Sequence, residues 1–130
     1  MSDFSEKTVL IVDDEPQIAT LLQRVFESEL NVKTVVCSNG MEGFQSLNTG
    51  KFDLICTDLK MPVMDGAALI KAVRDSDEPF KDIGIIVISG FTSDLDQCCM
   101  DYENIFLMDK PIDVDKLTRK ASLLLKTQSL

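Results

Sequence analysis

The sequence contains no histidine, and this absence excludes several kinds of functional site. Without His among its 130 residues, the chain cannot form a Ser-His-Asp triad, a histidine–zinc site or a phosphohistidine that donates phosphate. No C-x-x-C pair occurs among the four cysteines, which are Cys37, Cys56, Cys98 and Cys99. Because three of them lie in or beside apolar segments, we expect buried, reduced thiols in a cytoplasmic protein.

The chain also has few basic residues and no long apolar run. Thirteen Lys and Arg residues against 22 Asp and Glu residues give a formal charge of -9, which argues against binding to nucleic acid or to an anionic membrane surface. The longest apolar stretch, residues 83–91, is interrupted by glycine and serine and is far shorter than the ~20 residues of a membrane-spanning helix. The polar first seven residues lack the apolar core of a signal peptide.

Short apolar runs alternate with amphipathic segments along the chain, whose length and composition are typical of one globular domain. The runs are rich in β-branched residues and show no polar alternation, which indicates strands buried on both faces. The predicted strands cover residues 8–12, 32–37, 54–57, 83–88 and 105–108. Five such units predict an α/β fold, a three-layer sandwich with a five-stranded parallel sheet in the flavodoxin-like order 2-1-3-4-5.

The same spacing predicts where the helices begin and which side chains face the core. Pro16 suits the first turn of the first helix, Ser38 is expected to cap the second and Asp113 the last. A fourth helix, over residues 93–102, has the poorest pattern. The inward side chains are predicted to be Ile18, Leu21, Leu22, Val25 and Phe26, then Met41, Phe44 and Leu47, then Ala68, Leu69, Ala72 and Val73, and finally Val114, Leu117, Ala121, Leu124 and Leu125.

Residues able to carry chemistry follow four of the predicted strands. Asp13 and Asp14 follow the first strand, Asp58 the third, Ser89 the fourth and Lys110 the fifth. Taken singly, they fit a helix start, a turn or a loop start, but their shared position favours one site. Because strands one and three are expected to be neighbours, the three carboxylates should converge and repel one another unless a cation neutralises them. An oxygen-only site of this kind suits Mg²⁺, or Mn²⁺, rather than zinc.

These motifs resemble the receiver domain of two-component response regulators. The most specific match is the string D-x-x-M-P-x-M-D-G together with a correctly spaced hydroxyl and a Lys-Pro pair. The matching pieces are Asp13-Asp14-Glu15-Pro16, residues 57–66, Ile88-Ser89-Gly90 and Asp109-Lys110-Pro111. The resemblance implies an N-terminal extension over residues 1–6, a receiver domain over 7–126 and a C-terminal tail over 127–130.

The resemblance also implies a metal site and a phosphoacceptor. Asp58 would accept a phosphoryl group, and it would bind Mg²⁺ directly together with Asp14 and the backbone carbonyl of Lys60. Asp13 would act mainly through a bound water.

Further roles and partners follow from the same resemblance. Ser89 and Lys110 would each contact a phosphoryl oxygen. The protein would be a signalling switch, not an enzyme with an external substrate, and would catalyse only its own phosphorylation and dephosphorylation. The phosphodonor would be a sensor histidine kinase or a phosphotransfer protein. The output would be a downstream protein, a fused domain or a phosphorylation-dependent homodimer, through the surface of the fourth helix, fifth strand and fifth helix.

Three positions depart from the usual pattern or are particular to this chain. The family usually has Tyr or Phe three residues before the lysine, but this chain has Leu107, and the neighbouring Phe106 is expected to face the other side of the sheet. We therefore expect no aromatic switch, although the Ser89 part is intact. Lys60 and Phe91 would flank the phosphoryl group, and we expect them to obstruct attacking water and prolong the phosphorylated state.

Other readings of the sequence remain open at this point. A scaffold with the same fold but no phosphorylation is the main alternative, although the complete set of site residues argues against it. A metal-dependent phosphatase would need a second acid two residues after the nucleophile, where Lys60 stands. The sequence does not decide between a stand-alone receiver and part of a longer regulator.

Overall fold

A five-stranded parallel sheet forms the centre of the computed structural model, which describes residues 4–90 and 103–127. Its strands lie in the order β2-β1-β3-β4-β5, which confirms the predicted α/β fold and the flavodoxin-like order. The strands are β1 (Thr8–Val12), β2 (Lys33–Cys37), β3 (Leu54–Asp58), β4 (Gly84–Ser89) and β5 (Ile105–Asp109). The described helices, numbered here in chain order, are α1 (Pro16–Leu30), α2 (Gly40–Thr49), α3 (Gly66–Arg74) and α4 (Val114–Thr127). The helix predicted over residues 93–102 lies outside the described residues.

Helices cover both faces of the sheet, and the central strands are buried as a result. Every residue of β3 and β4 is buried. Side chains of α1 and α4 pack on one face, against residues such as Ile11 and Cys56. Those of α2 and α3 pack on the other, against residues such as Leu10 and Ile55. Neighbouring residues of one strand therefore enter different halves of the core, which explains the continuous apolar runs.

Several of the predicted inward side chains are in fact exposed. Leu21 is 43% exposed, Met41 is 42% exposed and Val114 is 37% exposed, and Ala68 is also exposed. In α2, the helix approaches the sheet through Gly43, where a Cβ atom would lie 3.0 Å from Cγ2 of Val12. Because two residues correspond to about 200° of helical rotation, Met41 points away from the sheet. Leu21 stands in the same relation to the buried Ala19 of α1.

The helix starts agree with the sequence prediction except at α2. Pro16 occupies the first turn of α1, and Asp113 accepts a hydrogen bond from the backbone N–H three residues later. In α2 the capping residue is Asn39, not Ser38, because Asn39 Oδ1 accepts the backbone N–H of Glu42 at 2.9 Å. The backbone N–H and hydroxyl of Ser38 instead donate to the Glu42 carboxylate.

The described part of the chain also bears on the cysteines and on membrane insertion. Cys37 and Cys56 are both buried and free, as expected, whereas Cys98 and Cys99 lie outside the described residues. None of the described helices combines the length and the apolar character that a membrane crossing requires.

Candidate functional site

The carboxyl ends of β1 and β3 bring Asp13, Asp14 and Asp58 together, as the strand order led us to expect. The two strands are neighbours, with Val12 opposite Thr57, so the residues that follow lie side by side. One ligand oxygen from each of the three carboxylates lies within 4.8 Å of the others. Asp13 and Asp58 are buried, whereas Asp14 is exposed. The acidic cluster therefore has a buried base and one side open to solvent.

Asp13 has one carboxylate oxygen with a partner and one without. Its Oδ1 accepts the backbone N–H of Glu15 at 2.9 Å, whereas its buried Oδ2 has no hydrogen-bond partner among the described residues. Burial raises the pKa of Asp13 to about 6, the charge of Asp58 adds to this, and the Glu15 hydrogen bond opposes it. A buried oxygen without a donor is costly, and it is well suited to bind a cation. The cluster therefore fits Mg²⁺, a cation that prefers carboxylate oxygens.

Asp58 ends the central strand β3 and has a different environment. Its Oδ1 accepts the backbone N–H of Leu59 at 2.8 Å and lies 3.5 Å from Nζ of Lys110. Burial raises the pKa of Asp58, while the charge of Lys110 and the Leu59 hydrogen bond act in the opposite direction without cancelling the shift. Both of these contacts fall on the same oxygen, Oδ1.

Lys110 follows β5 and carries the positive charge of the site. Its backbone N–H donates to the carbonyl of Ser89 at 2.9 Å, and its Nζ lies 3.6 Å from Oε1 of Glu15. Burial lowers the pKa of Lys110, but the charges of Asp58, Asp13 and Glu15 together outweigh burial and raise the pKa. The side chain is therefore an ammonium at neutral pH.

Ser89 and the loop after Asp58 complete the edge of the site. Ser89, the last residue of β4, is buried and lies opposite Asp109 of β5. In the loop, Gly66 cannot be replaced without movement, because a Cβ atom there would lie 2.4 Å from the carbonyl oxygen of Asp58. Lys60 is exposed in this loop, and Phe91 lies outside the described residues.

The aromatic residue of β5 lies where the sequence predicted. Phe106 packs on the α1 and α4 face of the sheet, where Nζ of Lys120 lies 4.3 Å from its ring centroid. Leu107 packs on the opposite face. The position that usually holds the family's switch aromatic is therefore occupied by an aliphatic side chain.

Sequence reasoning missed two charged residues. Glu15 lies in one of the matching motifs, but the sequence analysis assigns it no role. Its poor suitability as a helix cap is the signal that could have indicated one. Arg74, the last residue of α3, is buried. Its guanidinium donates to the carbonyls of Lys81, Glu103 and Asn104. An arginine at a helix end usually suggests a solvated charge near the negative end of the dipole, so no local pattern indicated burial.

Comparisons with known proteins agree with this geometry. The family model described as "Response regulator receiver domain" matches residues 9–122. Sporulation initiation phosphotransferase F of Bacillus subtilis is 30% identical over 110 residues, which cover 84% of this chain and 86% of that protein. The transcriptional regulatory protein GlrR of Escherichia coli is 31% identical over 110 residues, which cover 84% of this chain but 24% of that protein. The solved structure of response regulator protein TrrA from Thermotoga maritima, in complex with Mg(2+)-BeF, is 29% identical, has a TM-score of 0.76 and matches over 91% of this chain and 98% of that chain.

Proposed function

The chain belongs to the response regulator receiver domain family, and we propose on this basis that Asp58 is its phosphoacceptor. The observation that carries the proposal is the placement of the Asp58 carboxylate. It is buried at the end of the central strand, 3.5 Å from the Lys110 ammonium and beside two further carboxylates. Phosphoryl transfer depends mainly on positioning and on charge neutralisation, and this arrangement offers both.

The contacts of Asp58 indicate which of its oxygens would react. Leu59 and Lys110 both contact Oδ1, which leaves Oδ2 as the nucleophile. Oδ2 would form a bond to phosphorus while the bond from phosphorus to the donor's leaving group breaks, and the leaving group would take that electron pair. Lys110 would neutralise one phosphoryl oxygen, and the Ser89 hydroxyl would donate a hydrogen bond to another.

A divalent cation is part of the proposal. Asp14, Asp58 and the backbone carbonyl of Lys60 would hold Mg²⁺ directly and Asp13 mainly through a bound water, with Mn²⁺ as a substitute. Support comes from the buried Asp13 oxygen that has no hydrogen-bond partner among the described residues and from the solved structure of TrrA, which contains Mg(2+)-BeF. When bound, the ion would supply the positive charge that lets a phosphoryl dianion approach this acidic cluster.

The positions of Ser89 and Lys110 support a proposal for the output of the switch. Movement of Ser89 toward a phosphoryl group on Asp58 would alter the surface made by β5, α4 and the segment over residues 93–102. That segment lies outside the described residues. With Leu107 in place of an aromatic residue, this movement would depend on Ser89 alone.

The partners and the location are proposals as well. A sensor histidine kinase or a phosphotransfer protein would donate the phosphoryl group. A downstream protein, a fused output domain or a second phosphorylated copy would receive the signal, without direct contact to nucleic acid or membrane. The chain spans most of the sporulation phosphotransferase but about a quarter of GlrR, so its relatives differ in what accompanies the receiver. A cytoplasmic location and the domain limits at residues 7 and 126 stay predictions.

The test of the proposal is phosphorylation by a small donor. Acetyl phosphate or phosphoramidate with Mg²⁺ should label the wild type on a Phos-tag gel and should not label Asp58→Asn. Asp75→Asn, which removes an exposed acid paired with Lys71, is the matched control and should be labelled like the wild type. EDTA should abolish labelling. Equal labelling of Asp58→Asn and the wild type would contradict the assignment, and a wild type that is not labelled at all would favour a scaffold role.

A further inference from the structure

The Lys110 ammonium lies between two carboxylates that belong to different elements. Its Nζ is 3.5 Å from Asp58 Oδ1 and 3.6 Å from Glu15 Oε1. Asp58 is buried, whereas the Glu15 side chain is 59% exposed. Lys110 is thus shared, at nearly equal distances, between the acceptor and an acid that the proposed chemistry does not use.

The helix that Glu15 precedes does not require its side chain in this position. Glu15 is the N-cap residue of α1, and its side chain makes no capping hydrogen bond. Glutamate is not among the residues that cap helices well, and Pro16 at the next position has no N–H to satisfy. A residue type that caps a helix poorly is expected at an N-cap position where function, and not stability, determines which residue is present.

Glu15 is also connected to the acidic cluster through its backbone. Its N–H donates to Asp13 Oδ1 at 2.9 Å, which limits how far the residue can move from the site. The backbone of Glu15 therefore orients a candidate metal ligand, while its side chain holds the lysine. Contacts with the site therefore determine the positions of both the backbone and the side chain of Glu15.

We propose that Glu15 is a positioning residue that competes with the acceptor site for the Lys110 ammonium and thereby slows phosphorylation of Asp58. The inference rests on the proposed function, because it concerns the same lysine and the same acceptor. When a phosphoryl group adds to Asp58, Lys110 must turn from Glu15 to a phosphoryl oxygen. The contact with Glu15 is lost in that step, so its strength adds to the barrier.

Four proteins, the wild type and three variants, form a double-mutant cycle that tests the inference at saturating Mg²⁺ with phosphoramidate as the donor. Glu15→Gln should phosphorylate about threefold faster than the wild type, a modest factor because exposed ion pairs are weak. In the Lys110→Met background, where residual labelling is slower, adding Glu15→Gln should change nothing. A residue that acts only through the fold or the general field would raise the rate in both backgrounds, and that result would overturn the proposal.

Two further variants separate contact from charge. Glu15→Asp keeps the charge but is one methylene shorter, so it should resemble Glu15→Gln if the contact is what matters. Asp109→Asn removes an exposed acid next to Lys110 in sequence, and within the described residues no salt bridge joins the two. It should label like the wild type. The inference would be refuted if Glu15→Asp were phosphorylated at the wild-type rate, or if Asp109→Asn were accelerated as much as Glu15→Gln. Both comparisons can still be made if phosphorylation of Lys110→Met is too slow to measure.

Failure of the proposed function would give a different result. In that event either no protein, including the wild type, would be labelled by phosphoramidate, or Asp58→Asn would be labelled like the wild type. The coupling between Glu15 and Lys110 would then be read from the thermal unfolding of the same four proteins. Non-additive shifts would support the contact, and additive shifts would contradict it.

Discussion

At the scale of single residues, the site assigns different tasks to side chains of the same type. Asp13 and Asp58 are both buried, and burial raises the pKa of each. Asp58 has a lysine and a backbone N–H on one oxygen, whereas Asp13 has a buried oxygen without a described partner. These different surroundings support the proposed roles, in which Asp58 reacts and Asp13 helps to bind a cation, a division that paired carboxylates commonly show.

Lys60 is expected to control how long the phosphorylated state lasts. It follows the acceptor by two residues and is exposed in the loop, so its long side chain can obstruct water that approaches phospho-Asp58. We expect Lys60→Asn to lose the phosphoryl group roughly tenfold faster, which corresponds to about 1.4 kcal/mol of barrier. The measurement is the decay of phosphoprotein at saturating Mg²⁺ with no kinase present.

A remote lysine provides the control for this prediction. Lys51 is exposed and precedes β3, at the opposite edge of the sheet from Asp58, so Lys51→Asn should decay like the wild type. Phe91→Ala tests the other flank of the acceptor by the same assay. Decay rates within about a factor of two, less than about 0.5 kcal/mol of barrier, in all of these proteins would show that shielding does not matter.

At the scale of elements, the start of α2 depends on a residue that the sequence prediction passed over. Asn39 Oδ1 accepts the N–H of Glu42 in the first turn, whereas the backbone N–H and hydroxyl of Ser38 donate to the exposed Glu42 carboxylate. Asn39→Ala should therefore lower the free energy of unfolding by about 1 kcal/mol, the usual cost of a lost N-cap. Ser38→Ala should cost clearly less. Urea unfolding of both variants measures the difference, and an equal or larger loss for Ser38→Ala would contradict the assignment of the cap.

The end of α3 shows how one side chain joins separate elements. Arg74 is 7% exposed, and its guanidinium donates to the carbonyls of Lys81, Glu103 and Asn104. These residues precede β4 and β5, so the hydrogen bonds attach α3 to the amino-terminal edge of the sheet. A buried guanidinium is tolerated only when such partners satisfy it, and this arrangement secures the two strands whose other ends carry Ser89 and Lys110.

At the scale of the whole molecule, the acidic cluster should make stability depend on pH and on Mg²⁺ together. The pKa of Asp13 is raised to about 6 in the folded protein, above its ordinary value, so the folded state binds this proton more tightly than the unfolded state. In the absence of metal, the free energy of unfolding should therefore fall as the pH rises from the ordinary pKa of an aspartate through the raised pKa of Asp13. Mg²⁺ should restore it near neutral pH, by about 1.4 kcal/mol at roughly ten times its Kd.

Thermal unfolding checks this prediction at about pH 5 and about pH 7.5, which lie below and above the pKa of Asp13. Each measurement is made in EDTA and in roughly 10–20 mM Mg²⁺, a concentration high enough to occupy a site with a millimolar Kd. We expect a large increase in Tm with Mg²⁺ at the higher pH and a small one at the lower pH, where protons compete for the carboxylates. Asp13→Asn should lose most of the pH dependence and part of the Mg²⁺ shift. A wild-type Tm that does not change with Mg²⁺ near neutral pH would argue against the cation site.

The sequence by itself determined the sheet, its strand order and the edge where the site lies. These follow from local signals, because buried strands appear as apolar runs and parallel strands place their carboxyl ends at one edge. Asp13, Asp14, Asp58, Ser89 and Lys110 could be assigned to one site for this reason. The apolar spacing did not determine every helix face, because residues such as Leu21 and Met41 fit the spacing but are exposed.

Only the tertiary structure decided which partner each charged side chain has. Glu15 and Lys110 lie far apart in the chain, yet their charged atoms are 3.6 Å apart. Arg74 is buried because carbonyls from two other segments surround it. Likewise, only the structure shows that Asp13 Oδ2 is buried without a hydrogen-bond partner among the described residues. Spacing along a chain predicts which face or edge a residue occupies, but hydrogen bonds and ion pairs are decided over a few ångströms, a distance that only the folded backbone sets.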